Sequence, residues 1–460
     1  MTAALAAGLR ASAGRILPLA WPVVVGQLAV LSYSTIDTLL LARHDALDLA
    51  ALALGASAYV TVFVGLMGVL LGVSPIVGRL YGAGRHAEAG AQWQQAVWLA
   101  LMLALLGSSL LAWPEPFLAI AQASPEVEAK ARSYLSALAL SLPASLLFTT
   151  YRGFNTAVSR PKAVMAMQLS GLCLKLPLTW LLVGGASFGP LQIPALGLTG
   201  CGIATACVMW TQALGAMLVL RHDRFYAPFA LWGQRWPGPR WSALKPLLRL
   251  GVPNGLATLI EVSGFTFMAF FIARLGATPL AGHQIAANLV AMLFMLPLGL
   301  ANATATLVAQ RIGAGDLQDA QRIGWHGIQL AALIASALGI TVFVLRPWVL
   351  RLYSPDPVIV AAALPLLAWV VLFHIGDAVQ CVAGFVLRAW HVATVPVLIY
   401  ALSLWGLGLG GGYALVHGEL APPGLQGAAG FWAASTASLV VAALALCALL
   451  RWVLKQKLRP

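Results

Sequence analysis

The sequence predicts an all-α polytopic membrane protein, with twelve transmembrane helices in two pseudo-symmetric six-helix lobes. Three observations carry this expectation: an extremely apolar composition, a series of apolar runs each long enough to cross a bilayer, and a repeat relating the two halves of the chain. Of the 460 residues, 60% are hydrophobic and 9% charged, and the mean hydropathy is +0.87. A soluble domain carries roughly a quarter charged residues.

A membrane-crossing helix needs roughly 17 to 25 predominantly apolar residues. In chain order the first half offers Ile16–Ala42, closed by Arg43 and Asp45; Leu49–Ile76, closed by VGRLYGAG; and Ala91–Trp113, closed by Pro114 and Pro116. Tyr134–Phe154, Ala163–Gly184 and Thr199–Leu220 complete it, the last closed by Arg221. The second half offers Leu248–Ala273, His283–Gln310, Ile323–Leu345, Val358–Phe385, Val392–Tyr413 and Gly427–Leu450. Prolines inside the runs, such as Pro143, Pro177, Pro297, Pro365 and Pro396, and the glycines of GLGLGGGY permit bends and close helix approach. That glycine run lacks the Lys-Ser/Thr ending of a phosphate loop.

The formal charge of +13 is distributed as membrane topology requires rather than as nucleic-acid binding requires. With both termini in the cytoplasm, the inner segments hold about 20 Lys and Arg and the outer loops about six (Arg43, Lys130, Arg132, Arg274, Arg346 and Arg351). The N-terminus, MTAALAAGLRASAGR, lacks a small-residue cleavage site and reads as part of an uncleaved first helix. Insertion into a plasma or inner membrane as a multi-pass protein is the expectation. The five cysteines, Cys173, Cys201, Cys207, Cys381 and Cys447, have no metal-type spacing and read as packing residues.

VGRLYGAG at Val77–Gly84 matches VAQRIGAG at Val308–Gly315, an offset of 231 residues that also pairs Pro22 with Pro253, Arg43 with Arg274 and Gly153-Phe154 with Gly384-Phe385. Six spans per half make the repeats parallel, related by an axis along the membrane normal. The expected organisation is a lobe over 1–222, an interfacial linker over 223–246 and a second lobe over 247–460. The linker, rich in Arg, Trp and Pro, reads as a solvated connection with interfacial tryptophans or as a lipid-headgroup or partner site.

Three acids lie well inside spans, Asp37, Glu261 and Asp377, with one evident base, Lys175. A charge at a helix centre costs roughly 2.5 to 3.5 kcal/mol on insertion scales, so it calls for a partner, a cavity or a pathway. One base cannot neutralise three acids. Tyr33 and Ser34 share a helical face with Asp37 and are candidate donors to it. Glu261 stands with Thr258 and Phe265 on one face. His374, three residues before Asp377, reads as a proton relay or as a helix-to-helix hydrogen bonder. Lys175 reads as a snorkelling side chain or as an ammonium facing Asp37. The repeat places Val30, Leu146 and Met268 opposite Glu261, Asp377 and Asp37, so each lobe has its own acid site.

Taken together, PLAWPVVVGQ ahead of Asp37, VGRLYGAG and its repeat, Pro177 after Lys175, GLTGCGIAT, the Glu261 helix, and Asp377 before the Gly384–Arg388 segment resemble the multidrug and toxic compound extrusion transporters, most closely the NorM-like bacterial branch. The resemblance covers nearly the whole chain. It implies a twelve-helix monomeric exporter that needs no cofactor and expels cationic and amphipathic drugs against inward flow of H+ or Na+, by rocking of two lobes around a cleft. It implies that Asp37 is the first-lobe acid and that Glu261 and Asp377 form a cation-binding pair with a Na+ option. Gln284, Asn288 and Asp356 are implied as substrate contacts beside Asp37, Glu261 and Phe265. Lys175 departs from the family, whose members tend to carry Asn there; an ammonium at that position would occupy the space of a first-lobe cation.

Other function classes fare worse. No HExxH and no Cys/His arrangement placed in facing spans supports an intramembrane enzyme. A lipid or lipid-linked glycan flippase of the same fold is the alternative, though a pyrophosphate-handling cavity should be basic. No filter-like repeat supports a channel.

Overall fold

The computed structural model describes residues 2–121, 124–188, 191–232, 236–417 and 425–458. Among them twelve helices are long and apolar enough to cross a membrane. They belong to α1 (Thr2–Ala42), α2 (Ala46–Leu70) with α3 (Val73–Gly82), α4 (His86–Ala112), α6 (Pro125–Ala157), α7 (Pro161–Gly184), α8 (Gly197–His222), α9 (Trp241–Ala273), α10 (Ala277–Gly313), α11 (Leu317–Tyr353), α12 (Pro357–Ala389), α13 (Thr394–Tyr400) with α14 (Gly411–His417), and α15 (Ala428–Lys457). A short α5 (Glu115–Ala121) and a two-stranded hairpin, β1 (Ala186–Phe188) and β2 (Leu191–Ile193), complete the described elements with a 3-10 turn at Arg224–Phe229. The hairpin, paired antiparallel with Ala186 opposite Ile193, has no counterpart in the sequence expectation.

Most helices extend beyond the apolar run that announced them. α1 starts at Thr2 rather than Ile16, because the alanine-rich leader is a strong helix former even where it is not apolar enough to sit in lipid. Polar residues fix the starts: Asp45 caps α2 by accepting from Leu47 N at 3.1 Å, and Asp316 caps α11 by accepting from Asp319 N at 3.0 Å. The second apolar run is broken at Leu71–Gly72, where a Cβ on Gly72 would lie 3.2 Å from Leu247 O. The eleventh is divided by a π-helical stretch at Ala401–Gly410, where the glycine-rich sequence tolerates the wider turn.

The repeat is visible in backbone geometry. Gly84 and Gly315, at equivalent positions, both turn left-handed, with φ of +73° and +80°. Each ends its helix with the same pair of bonds: Gly84 N to Tyr81 O and Arg85 N to Leu80 O in one half, Gly315 N to Ile312 O and Asp316 N to Arg311 O in the other. An L side chain there would be strained although space is free at both sites.

The chain packs as two compact units, Val25–Gly255 and a second made of Met1–Val24 with Leu256–Pro460. Within the first, part of the linker packs against α4 while other residues, among them Trp232 and Trp241, stay exposed. Gln94 and Gln95 of α4 donate to Leu231 O and Gly238 O at 2.9 and 3.0 Å, Gln95 accepts from Arg240 N at 2.7 Å, and Trp98 donates to Pro237 O at 2.8 Å. Tyr226, Phe229 and Leu231 are buried. Phe229 O lies where a Cβ on Gly90 would stand, 1.9 Å away, so only glycine lets the strap approach. Asp223, outside the spans, is held below its ordinary 3.8 by the Phe225 N–H and then by Arg160, which bonds it at 2.5 Å.

Within the second unit, Asp319 gathers three guanidinium groups, Arg15 at 2.9 Å, Arg311 at 3.1 Å and Arg322 at 2.6 Å, and so fastens the start of α1 to α10 and α11. Ser12 Oγ and His326 Nδ1, 2.7 Å apart, repeat the attachment one turn away. Asp319→Ala should lower stability by about 1–3 kcal/mol, since it leaves three arginines without their shared acid. Thermal unfolding of the detergent-solubilised variant measures this; an unchanged melting temperature would contradict it.

Candidate functional site

In the first unit α1, α7 and α8 enclose a buried ion pair. Lys175 is completely buried and Asp37 is 6% exposed. Nζ donates to Asp37 Oδ2 at 2.9 Å and lies 2.8 Å from Oδ1. Its other donors go to Thr205 Oγ1 at 2.7 Å and Cys201 O at 3.4 Å. Three donors thus meet three acceptors, which is what a buried ammonium requires. Lys175 does not snorkel.

A polar layer lies one helical turn along α1. Tyr33 Oη donates to Gln168 O at 3.0 Å and accepts from Gln212 Nε2 at 2.9 Å, and Gln212 also donates to Met167 O. Gly171 makes the layer possible, since a Cβ there would stand 2.0 Å from Gln212 Nε2 and 2.3 Å from Tyr33 Oη. Neither sequence-expected donor reaches Asp37: Tyr33 is engaged as above, and Ser34 bonds Leu31 O at 3.0 Å on its own helix. Lys175, four residues beyond Gly171 on the same face of α7, supplies the proton donors instead.

In the second unit α9 and α12 bring two acids together through a neutral side chain. Gln380 Nε2 donates to Glu261 Oε1 at 3.1 Å and to Asp377 Oδ1 at 3.0 Å, which holds those two carboxylate oxygens within about 6 Å of each other. The other amide atom, Gln380 Oε1, is buried without a partner. Its orientation follows from the surrounding acceptors; rotated, the amide would offer an oxygen to a cation or to a protonated acid. Among the described residues no group of three or more His, Cys, Asp or Glu gathers at metal-binding distances, so any cation here would rest on two carboxylates and amide oxygen. Trp405 of the π-helical stretch donates to Ile260 O at 3.2 Å, immediately before Glu261.

The comparisons with known proteins follow this geometry. The MatE family model matches residues 22–181 and 253–414, one match in each half of the repeat. The chain belongs to the MatE family. It is 41% identical to the probable multidrug resistance protein NorM of Aromatoleum aromaticum over 96% of this chain and 95% of that one. It is 33% identical to the multidrug resistance protein PmpM of Pseudomonas aeruginosa over 95% and 91%. Among solved structures, the eukaryotic MATE transporter AtDTX14 superposes with a TM-score of 0.84 at 17% identity, covering 98% of both chains. The Vibrio cholerae MATE transporter VcmN in its bent form gives 0.83 at 16% identity, covering 98% and 99%. This is a multi-pass membrane protein of the NorM-like branch of the MATE transporters.

The remaining residues singled out from the MATE resemblance have individual placements. Asp356 caps α12, accepting from Val358 N at 2.8 Å. Asn288 accepts from Tyr353 Oη at 3.0 Å, and Gln284 is exposed. Phe265 packs edge-on against Phe373 and Trp432, with His283 at 6.4 Å, in an aromatic cluster inside the second unit. His374 is fully buried and neither ring nitrogen has a hydrogen-bond partner, so it does not hydrogen-bond Asp377; Gln380, on the other side of Asp377 in sequence, does.

Sequence reasoning missed Gln380 and Thr205, which are neutral. Arg152 lies within α6 and Arg388 within α12, the latter 9% exposed with its guanidinium 4.3 Å over the Phe385 ring and Nη1 unpartnered. Arg388 stands in the last turn of α12, whereas Lys175 lies in the middle of α7. Lys175→Met should cost about 3–5 kcal/mol, because it strands a buried carboxylate, whereas Lys175→Met with Asp37→Leu should recover most of that loss. Unfolding of both variants in detergent checks the pair; a double variant less stable than the single one would contradict it.

Proposed function

We propose that the protein exports cationic and amphipathic organic compounds across the bacterial inner membrane by secondary antiport against H+ or Na+, as a monomer without cofactor. Lobes over 1–222 and 247–460, joined by 223–246 and with both termini cytoplasmic, would rock to expose the site alternately to each side. The multidrug names of relatives at 33–41% identity over nearly full length support the substrate class.

The observation that carries the mechanism is an asymmetry between the two acid sites. Asp37 is already paired with a tethered ammonium, while Glu261 and Asp377 share one neutral amide and have no ion-paired base among the described residues. Two carboxylates so close cannot both ionise freely, so the pair suits the uptake and release of one cation. As oriented, Gln380 presents a donor to both acids, and rotated it would present an oxygen, so the same amide can serve the site with the cation absent or bound. A cationic substrate competing for the same negative charge gives exchange. Lys175 occupies the place of a first-lobe cation, so that Asp37 takes up a proton only by giving up its ammonium contact.

The flippase alternative calls for a basic cavity. The two additional arginines, Arg152 and Arg388, belong to different compact units and do not form a cluster in either. The deciding experiment is efflux from proteoliposomes under an imposed pH or Na+ gradient. Glu261→Gln and Asp377→Asn should reduce efflux at least tenfold, about 1.4 kcal/mol or more of coupling. Asp37→Asn should also lower it, and Lys175→Asn should change the ion dependence. Full activity in all three acid variants would contradict the mechanism, and unchanged ion dependence in Lys175→Asn would contradict the role of the lysine.

A further inference from the structure

Between Asp223 and Glu261 the chain carries five bases, Arg224, Arg235, Arg240, Lys245 and Arg249, and no acid. Among the described residues no carboxylate pairs with Arg240, Lys245 or Arg249. Two acids beside this segment are already engaged: Glu88, one turn from Gln92 on α4, by Arg85, and Asp223 by Arg160. The backbone that carries the bases is fixed. Gln95 Oε1 accepts from Arg240 N at 2.7 Å, Gln92 Nε2 donates to Ala243 O at 3.0 Å, and Leu244 and Leu247 are buried in the core of the first unit. The bases therefore project from a built surface rather than from a loose strand of chain.

α9 arranges them as an exposed stripe. Trp241, Lys245, Arg249 and Val252 follow at steps of four, four and three residues, which keeps them on one face of the helix. All four are exposed, Trp241 by 67% and Val252 by 43%. Lys245 and Arg249 are like charges one turn apart, an arrangement that destabilises a helix unless an anion offsets it. The helix has 33 residues, about 50 Å at 1.5 Å per residue, against a hydrocarbon core of about 30 Å, and its apolar run begins only at Leu248. The basic end therefore stands at the level of lipid headgroups, where exposed tryptophans such as Trp232 and Trp241 also belong. Val252 lies farther in, where acyl chains begin.

We propose that Arg240, Lys245 and Arg249 hold the phosphate of an anionic membrane phospholipid, whose acyl chains run along the exposed apolar face of α9 that begins at Val252. The arginine forks match phosphate oxygens in pairs, and Lys245 between them adds a compact charge. A free phosphate would account for the bases alone. The apolar continuation of the same stripe, flanked by tryptophan, calls for a molecule with an anionic head and apolar tails. Bound there, the lipid would fasten the start of α9 and the strap that precedes it at the membrane surface, on a part of the first unit that contributes nothing to the Lys175–Asp37 pair.

The test is native mass spectrometry of the full-length protein, loaded in detergent with equal amounts of phosphatidylglycerol and phosphatidylcholine that have the same acyl chains. Wild type should bind its first phosphatidylglycerol about tenfold or more tightly than phosphatidylcholine. Each of Arg240→Gln, Lys245→Gln and Arg249→Gln should reduce that preference about fivefold, the worth of one basic residue at an anionic membrane surface, and the triple variant should abolish it. Lys455→Gln with Lys457→Gln removes two bases from the end of α15 and should leave the preference unchanged. Equal uptake of the two lipids by wild type, an unchanged preference in the triple variant, or the same loss in the α15 variant overturns the proposal. Displacement of phosphatidylglycerol by equimolar inorganic phosphate or polyglutamate would point to a free oxyanion or an acidic protein segment, and overturns the lipid assignment. Should the triple variant fail to fold, wild type gives the same reading by salt: the preference should fall as ionic strength during loading rises from about 0.05 to 0.5 M, and a salt-insensitive preference overturns the proposal.

Discussion

The ammonium of Lys175, shut off from solvent and held between Asp37, Thr205 and Cys201 O, constrains everything around it in the first unit. An ionised group at that depth must have all its donors met, and the three acceptors come from two helices besides its own. α1 must present Asp37, and α8 must present Thr205 and a backbone carbonyl, at fixed heights relative to α7. The glycine at 171, which lets Tyr33 and Gln212 close over the neighbouring turn, follows from the same tight approach. A pair of this kind does not add much net stability over an apolar core, but losing one member is costly, so it fixes the register of the three helices.

The second unit answers the same requirement differently. Its acids meet across α9 and α12 on a neutral amide, Gln380, and Arg388 is turned onto the Phe385 ring rather than paired with them. One lobe thus carries a charge pair closed on itself and the other an acid pair with an unfinished hydrogen-bond inventory, including the unpartnered Gln380 Oε1. An internal repeat makes this division economical. The repeated sequences set the helix ends, as at Gly84 and Gly315, while non-matching positions such as Asp37 and Met268 are where the two lobes acquire different chemistry.

The twelve spans and the repeat were legible because lipid demands long apolar runs and because the GAG helix ends repeat almost letter for letter. The pairing of Lys175 with Asp37 was legible as one of two alternatives, since complementary charges in neighbouring spans have few other places to go. Gln380 was not, because a glutamine three residues after Asp377 carries no charge to draw notice. Helix α6 and helix α12 continue past the apolar runs to Ala157 and Ala389, with Arg388 in the last turn of α12. The packing of the linker was hidden for a different reason: its hydrogen bonds come from glutamines of α4, more than a hundred residues earlier in the chain. Nothing local in the sequence indicates that the first 24 residues pack with the second half.

The most direct measurement of this division is infrared spectroscopy of the carboxylic-acid carbonyl stretch at neutral pH, in wild type and in Asp37→Asn, Glu261→Gln and Asp377→Asn. A protonated-acid band should be present in wild type, persist in Asp37→Asn and be lost or shifted in Glu261→Gln and Asp377→Asn, because the proposed mechanism keeps Asp37 ionised beside Lys175 and has the other two acids share a proton. A band that disappears in Asp37→Asn and persists in both other variants would contradict the assignment of the ion pair to the first lobe and of the exchangeable proton to the second.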